Sequence, residues 1–381
     1  MKKILIVHTK YRLKGGEDIA VENEIKFLEK HFDIETLIFS NETKNSLKQI
    51  MSLFLSYDKE SYEQLNKKIS NFDPELIYFH NTWFKGSLSL FKLAKKKKIK
   101  VLVKLHNFRY NCTKTFFSSK HLKGEEFCKA CGLNKKSVGI FNKYYDQYFF
   151  RSLAVVLFGI RYFKILKNSN IKILVLTEFH KSYLIKLNID EKKIFVFPNY
   201  IEEVLLKTSN EKEKFLVYAG RVSREKGVED LITTFLLSNL EGYSLKIIGD
   251  GPLLKSLNEK YNTQNIDFLG NIENKKVLEL INKSKGVVTA TNLLEGQPTL
   301  LCEASMLGVV SIYPEAGGIS EFFPKNYDFC FDQFSNNDLS TKLRMIDNKN
   351  FSNQGSINKS YLSTYLSSKK LLGTFKKIID E

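Results

Sequence analysis

The sequence predicts an α/β protein made of two successive doubly wound parallel sheets, and three observations predict it. Short β-branched runs alternate with longer stretches of helical periodicity, the pattern of strand–helix–strand units. The alternation runs to Pro198-Asn199, lapses in the charged stretch Glu202–Lys214, and restarts. Residues able to do chemistry follow the strands, which is where open α/β sheets bind their ligands.

In the first half the expected strands are Lys3–His8, Leu76–His80, Val101–His106, Ile173–Thr177 and Ile194–Phe197. Helical patterns cover Ala20–Lys30 and Lys85–Lys98, the latter ending in four lysines that suit the negative end of a helix dipole. In the second half the strands are Phe215–Gly220, Ser244–Gly249, Ile266–Leu269, Val287–Thr291 and Val309–Tyr313. Helices are expected over Lys226–Leu237, Pro252–Tyr261, Lys275–Lys283 and Thr299–Leu307. The two units are Rossmann-like and are expected to face each other across a cleft. A last helix, Tyr361–Ile379, is expected to cross back onto the first unit. The boundaries are therefore 1–198, 199–360 and 361–381.

Length and composition agree with two domains, since 381 residues at roughly 100–200 per domain fill two cores. Met1-Lys2-Lys3 leads straight into Ile4-Leu5-Ile6-Val7, too short for a signal-peptide core. The longest apolar run, Leu153–Ile160, falls well short of the roughly 20 residues that span a bilayer. Five cysteines, an odd number, fit a reducing cytosol. A cytoplasmic protein, dissolved or resting on a membrane, is the expectation.

The net charge of +17 is unevenly divided. Residues 1–198 carry a net +18 and residues 199–381 a net −1, with the basic excess densest from Lys85 to Lys172. A generally lysine-rich composition would not leave one half balanced. A one-sided field of this kind favours a polyanionic partner.

Gly220-Arg221-Val222-Ser223-Arg224-Glu225-Lys226-Gly227 ends one strand and opens a helix. Arg221 and Lys226 offer cations to a diphosphate, while Gly227 and the helix N-terminus offer close backbone N–H groups. The same residues also suit an ordinary basic turn. Glu295-Gly296-Gln297-Pro298-Thr299-Leu300-Leu301-Cys302-Glu303 follows a later strand, with Pro298 suited to a first helical turn. Carboxylates beside a diphosphate make sense as acceptors for sugar hydroxyls, although a solvated helix glutamate is the commoner fate of a residue such as Glu303.

These motifs together resemble the retaining, metal-independent glycosyltransferases of the GT-B fold, family 4. Gly15-Gly16-Glu17, Leu105-His106-Asn107 and Phe197-Pro198-Asn199 match it in the first half. His80-Asn81, His106-Asn107-Phe108-Arg109-Tyr110 and Cys112…Cys128-x-x-Cys131 resemble the subgroup that builds bacterial cell-surface polysaccharides such as O-antigen and capsule. The resemblance implies a donor site of Gly15, Gly16, Gly220, Arg221, Lys226, Glu295, Gly296, Gln297, Pro298, Thr299 and Glu303. Catalytic roles fall to Arg221, Lys226, His106 and Glu295. Arg221 and Lys226 would hold the diphosphate and its growing charge. Glu303 would hold the ribose, Glu295 the donor-sugar hydroxyls, and His106 the sugar or its phosphate. Gly15 and Gly16 would bring backbone N–H groups to the phosphate, and Glu17 would touch the acceptor. The first domain would bind the acceptor and the second the nucleotide sugar. The reaction implied is transfer of a hexose-type residue from a nucleotide diphosphate sugar, with UDP preferred, to a lipid-linked or saccharide acceptor. No cofactor is implied, and the sequence has no Asp-x-Asp motif.

Cys112, Cys128 and Cys131, with His121 between them, leave two readings open, a zinc knuckle and unligated thiols. From Ile140 to Lys167 the chain is crowded with aromatic and aliphatic residues, edged by Lys143, Arg151, Arg161, Lys164 and Lys167. Such a helix fits either a core or the head-group plane of an anionic inner leaflet, with Lys92–Lys100 alongside. His8 and His80 also end strands facing the expected cleft, where the residues by themselves suggest at most a supporting place behind the substrate contacts.

Other classes fit less well. A dinucleotide oxidoreductase would carry Gly-x-Gly-x-x-Gly after its first strand, where this chain has Lys14-Gly15-Gly16-Glu17. Gly249-Asp250-Gly251 is a fragment of that pattern continued by Pro252. A sugar-nucleotide epimerase or a non-catalytic partner shares the fold. A nucleic-acid binder rests on charge alone, without a recognition module.

Overall fold

The computed structural model describes residues 1–11, 15–41, 46–112, 149–202, 211–261 and 265–381. His121, Cys128, Cys131, Lys143, residues 140–148 and most of the charged stretch after Glu202 lie outside them. The chain divides into two compact units. Unit 1 is Met1–Tyr200 with Leu371–Glu381, and unit 2 is Ile201–Lys370.

Unit 1 is built on β1 (Lys3–Lys10), β2 (Asp33–Ser40), β3 (Leu76–Phe79), β4 (Lys100–Leu105), β5 (Lys172–Val175) and β6 (Ile194–Val196). They form one parallel sheet in the order β2-β1-β3-β4-β5-β6. The helices are α1 (Gly16–Leu28), α2 (Ser46–Leu55), α3 (Lys59–Phe72), α4 (Ser89–Lys96), α5 (Phe149–Asn168) and α6 (Glu178–Lys186). The interior of β1, Ile4 to Val7, is fully buried, as expected of a central parallel strand covered on both faces. The edge strand β2 escaped the sequence reading because polar residues interrupt it and its exposure is mixed.

Unit 2 has β7 (Glu213–Ala219), β8 (Ser244–Ile248), β9 (Ile266–Gly270), β10 (Ser284–Val288), β11 (Val310–Pro314) and the short β12 (Cys330–Phe331). Their order is β12-β11-β10-β7-β8-β9, again parallel. The helices are α7 (Val228–Leu237), α8 (Leu254–Tyr261), α9 (Asn274–Lys283), α10 (Thr299–Met306), α11 (Asn336–Arg344) and α12 (Lys349–Tyr365). Strand β10 begins three residues before the expected Val287, so Thr289–Thr291 is loop rather than strand. That loop belongs to the site.

The single helix expected over Tyr361–Ile379 is instead two. α12 ends at Tyr365, and α13 (Ser368–Asp380) begins after Leu366-Ser367. Each half has its own apolar anchor. Leu362 and Leu366 belong to the core of unit 2, whereas Leu371, Phe375, Ile378 and Ile379 belong to that of unit 1. Phe375 packs against Phe32, Tyr78 and Phe197. Lys2 and Lys172 donate to the last carbonyls of α13, those of Ile379 and Ile378, at 3.1 and 2.6 Å.

Candidate functional site

In unit 2 the loop after β7 is fixed by its neighbour after β8. Gly220 N–H donates to Ile248 C=O at 2.9 Å and Val222 N–H to Asp250 C=O at 2.9 Å. A Cβ at Gly249 would sit 2.0 Å from Gly220 O, and one at Gly251 would sit 2.2 Å from Val222 O. The Gly249-Asp250-Gly251 fragment is therefore a packing device here. The loop then tightens into a turn over Arg224–Lys226 and enters α7 through Gly227, whose φ of +63° is left-handed. A Cβ at Gly227 would meet Ala290 O at 2.0 Å, so the turn lies directly against the loop after β10. Asn292 N–H completes the join by donating to Glu225 C=O at 3.0 Å.

This packing brings the two motifs together. Lys226 Nζ donates to Glu295 Oε1 at 2.5 Å, and Thr291 Oγ1 donates to the same oxygen at 3.0 Å. The Glu295 backbone is pinned separately, its carbonyl accepting from Gly318 N–H at 2.9 Å. The Lys226 and Glu295 side chains are each about a quarter to a third exposed, 31% and 25%. Arg221 is exposed, and among the described residues its guanidinium has no ion-pair or hydrogen-bond partner. Its backbone carbonyl is held by Tyr218 OH at 2.8 Å. Pro298 is the N-cap of α10 rather than a residue of its first turn, and Gly296 and Gln297 are buried beside it. Gln297 Nε2 reaches Cys302 Sγ at 3.9 Å.

Glu303 lies early in α10 and is partly buried. Burial lifts its carboxyl to about 7, against a smaller opposing pull from a hydrogen bond with Asn274. The sequence reading missed Asn274 and Thr291, which hold the two carboxylates. Only Thr291 was legible in principle, because a hydroxyl four residues before Glu295 is local.

In unit 1 three histidines meet at the carboxyl ends of adjacent strands. His8 Nε2 pairs with Asp18 Oδ1 at 2.8 Å, and His80 Nδ1 lies 3.0 Å from His106 Nε2. Burial first, then neighbouring cationic groups, holds both His80 and His106 well below the ordinary histidine range, so this pair is neutral. Burial pushes the Asp18 carboxyl up, but hydrogen bonds with His8 and with the Gly15 N–H outweigh it, and the net shift is downward. The Gly15 N–H bond to Asp18 Oδ2 measures 3.0 Å and caps α1, which begins at Gly16. Among the described residues nothing lies within 4 Å of a Cβ at Gly15, so their packing does not require glycine there.

Glu17 Oε2 accepts from Tyr11 OH at 2.8 Å and from Asn107 Nδ2 at 3.0 Å. Burial raises its carboxyl despite these donors. Arg109 lies over three rings, 5.5 Å from that of Tyr11, 5.1 Å from Trp83 and 5.9 Å from Phe84. Cys112 is buried. No group of three or more His, Cys, Asp or Glu side chains able to hold a metal occurs among the described residues.

Two parallel six-stranded sheets with helices on their faces define the GT-B class of fold. Residues 206–358, within unit 2, match the family described as Glycosyl transferases group 1. Over 114 residues the chain is 29% identical to the "Putative teichuronic acid biosynthesis glycosyltransferase TuaC" of Bacillus subtilis (strain 168). That match spans 30% of this chain and 28% of the relative's length. Among solved structures, sucrose-phosphate synthase from Thermosynechococcus elongatus aligns with a TM-score of 0.71 at 12% identity, covering 100% of this chain and 98% of that one. Anabaena HepE in complex with UDP and glucose aligns at 0.67 and 14% over the whole of both chains. The lipopolysaccharide outer core galactosyltransferase WaaB aligns at 0.64 and 16%, covering 99% of each chain. At these identities the likenesses show the fold.

Proposed function

We infer that this protein is a retaining glycosyltransferase of the family 4 type, moving a hexose-type residue from a UDP-linked donor to a lipid-linked or saccharide acceptor in cell-surface polysaccharide synthesis. The observation that carries the reading is the pairing of Lys226 with Glu295 across the loops after β7 and β10, with Arg221 exposed on the first loop and Glu303 on the helix that follows the second. Cations for a diphosphate and carboxylates for hydroxyls are what a nucleotide sugar presents to a protein. The galactosyltransferase and teichuronic acid names among its likenesses support the substrate class, as does the UDP and glucose bound by HepE.

In this reading Arg221 and Lys226 hold the diphosphate and stabilise the charge that grows as the bond from sugar C1 to phosphate oxygen breaks. The acceptor hydroxyl forms its bond to C1 on the same face and gives its proton to the departing phosphate oxygen, which preserves the anomeric configuration. Glu295 orients sugar hydroxyls and Glu303 the ribose. Gly220, Gly296, Gln297, Pro298 and Thr299 shape the donor loops, Gly15 and Gly16 leave backbone clear for a phosphate, and His106 is the sugar-facing residue of unit 1. Lys226 must leave Glu295, or share it, when the diphosphate arrives.

A cytoplasmic location on the inner face of the plasma membrane belongs to the same proposal. The basic excess of the first half supports it, together with an apolar stripe on α2 in which Leu47, Met51 and Leu55 are 75%, 57% and 62% exposed. No described helix is long and apolar enough to cross a membrane.

Thermal unfolding with UDP, GDP, CDP and NAD tests the donor site. At about 100 times its dissociation constant a ligand adds roughly 2.7 kcal/mol, an easily seen shift. UDP is expected to shift the transition, and Lys226→Ala to weaken that binding roughly 10- to 100-fold, the worth of a charge-assisted contact. A shift with NAD alone would overturn the transferase reading in favour of an oxidoreductase.

A further inference from the structure

Buried polar atoms are nearly always hydrogen-bonded, and several of the exceptions in unit 1 lie at one end of its sheet. Thr9 Oγ1, His80 Nε2, Thr82 Oγ1 and His106 Nδ1 are buried at or just beyond the carboxyl ends of β1, β3 and β4, and none has a hydrogen-bond partner among the described residues. Beside them the Arg109 guanidinium has no hydrogen-bond acceptor among the described residues, although its three aromatic neighbours hold it in place. Its backbone is fixed too, by a bond from its N–H to Asn107 Oδ1 at 3.0 Å.

Glu17 offers the complementary chemistry. One carboxylate oxygen takes both Tyr11 and Asn107, and the other has no hydrogen-bond partner among the described residues. The Asn107 side chain links the two groups, holding Glu17 through its amide and Arg109 through its carbonyl. A guanidinium fork matches the oxygens of a phosphate, and a free carboxylate oxygen accepts from a hydroxyl. A ligand that carries both close together is a sugar phosphate.

We propose that Arg109 and Glu17 form an acceptor subsite for a sugar phosphate, Arg109 taking the phosphate and Glu17 a hydroxyl of the sugar joined to it. The assignment rests on the transferase reading above and narrows it to acceptors in which the first sugar is held through a phosphate, as in a polyprenyl diphosphate-linked glycan. Asn107 and Tyr11 are positioning residues, setting the carboxylate and the ring beneath the guanidinium.

The only tryptophan of the chain, Trp83, lies under Arg109, so its emission reports on this site in the folded protein. Glucose 1-phosphate is titrated into the full-length protein while Trp83 emission is followed, with inorganic phosphate, glucose and glucuronate as parallel titrants. The expected result is a saturable change with glucose 1-phosphate that Arg109→Gln weakens at least tenfold. Arg109→Lys, which keeps the charge and loses the fork, should weaken it by less, and it serves where the glutamine variant does not fold. Glu17→Gln should weaken glucose 1-phosphate and leave inorganic phosphate unchanged. Lys226→Ala should leave the Trp83 response intact, because that residue belongs to unit 2. No saturable response, or one indifferent to Arg109, overturns the subsite. Glucuronate binding at least as tightly through Arg109 overturns the phosphate assignment. A UDP-induced thermal shift without a Trp83 response sinks the subsite and spares the donor reading. A Trp83 response without any nucleotide shift does the reverse.

Discussion

Glu303 is a carboxylate that burial has moved into the physiological range, to about 7. A group with a raised folded-state value holds more protons when folded than unfolded. In the free protein its contribution to stability is therefore full below the unfolded value of 4.5 and is lost as the pH rises through about 7. Donor binding has the opposite slope if ribose hydroxyls donate to the ionised carboxylate, since the proton must leave first. From pH 6 to pH 8 the ionised fraction rises roughly tenfold, so affinity for UDP-glucose should rise roughly tenfold and then level off. UDP-glucose is the ligand of choice because its diester phosphates do not titrate in this range. Isothermal titration across that interval measures it. Glu303→Gln should give a flat profile, and a flat profile in the unaltered protein would remove the ionised carboxylate from the ribose contact. At this scale the motif residues Arg221, Lys226, Glu295 and Glu303 were legible because they follow strands. Asn274, and the Tyr11 and Asn107 partners of Glu17, were not. Their partners lie 29, 6 and 90 residues away, and only the folded chain brings them together.

At the scale of elements, α2 was not read from the sequence at all, yet it carries the largest apolar exposure of the described helices in unit 1. Leu47, Met51 and Leu55 recur every four residues and so share one face. Phe150, at the start of α5, is 67% exposed, and α5 reaches α2 through hydrogen bonds from Arg161 to Phe54 C=O and to Ser56 Oγ. One face of α5 is buried, with Ala154, Val155, Val156, Phe158 and Tyr162 inside. The described part of the aromatic stretch 140–167 is thus a helix with one face in the core, and the exposed stripe beside it comes from α2. Composition favoured the aromatic segment because it cannot tell a buried face from an exposed one. If the inner-leaflet reading holds, replacing Leu47, Met51 and Leu55 with serine should cut recovery with anionic vesicles at least fivefold in flotation. Side chains already in water contribute little to the fold, so the melting temperature should stay nearly constant. Unchanged recovery would assign any membrane affinity to another surface or to charge alone.

At the scale of the whole chain, the break at Leu366-Ser367 decides which unit each end of the last helical segment serves. A continuous helix was the natural reading of a long periodic segment, since periodicity does not reveal which core will take each apolar face. Deleting residues 368–381 removes four buried anchors of unit 1, Leu371, Phe375, Ile378 and Ile379, and leaves Leu362 and Leu366 in unit 2. At about 1.5–3 kcal/mol per large side chain the loss is about 6–12 kcal/mol. That is comparable with the whole stability of an ordinary domain, about 5–15 kcal/mol. The truncated protein should therefore lose the folded environment of Trp83 while keeping a UDP-stabilised transition from unit 2. Tryptophan emission and UDP-dependent melting, measured on the same sample, separate the two. Phe375→Ala, which removes one ring, should cost about 3–5 kcal/mol, and its effect should fall first on the Trp83 signal. Loss of both signals together on truncation would mean that the two units fold as one cooperative body, and α13 would then be a determinant of the donor site as well as of unit 1.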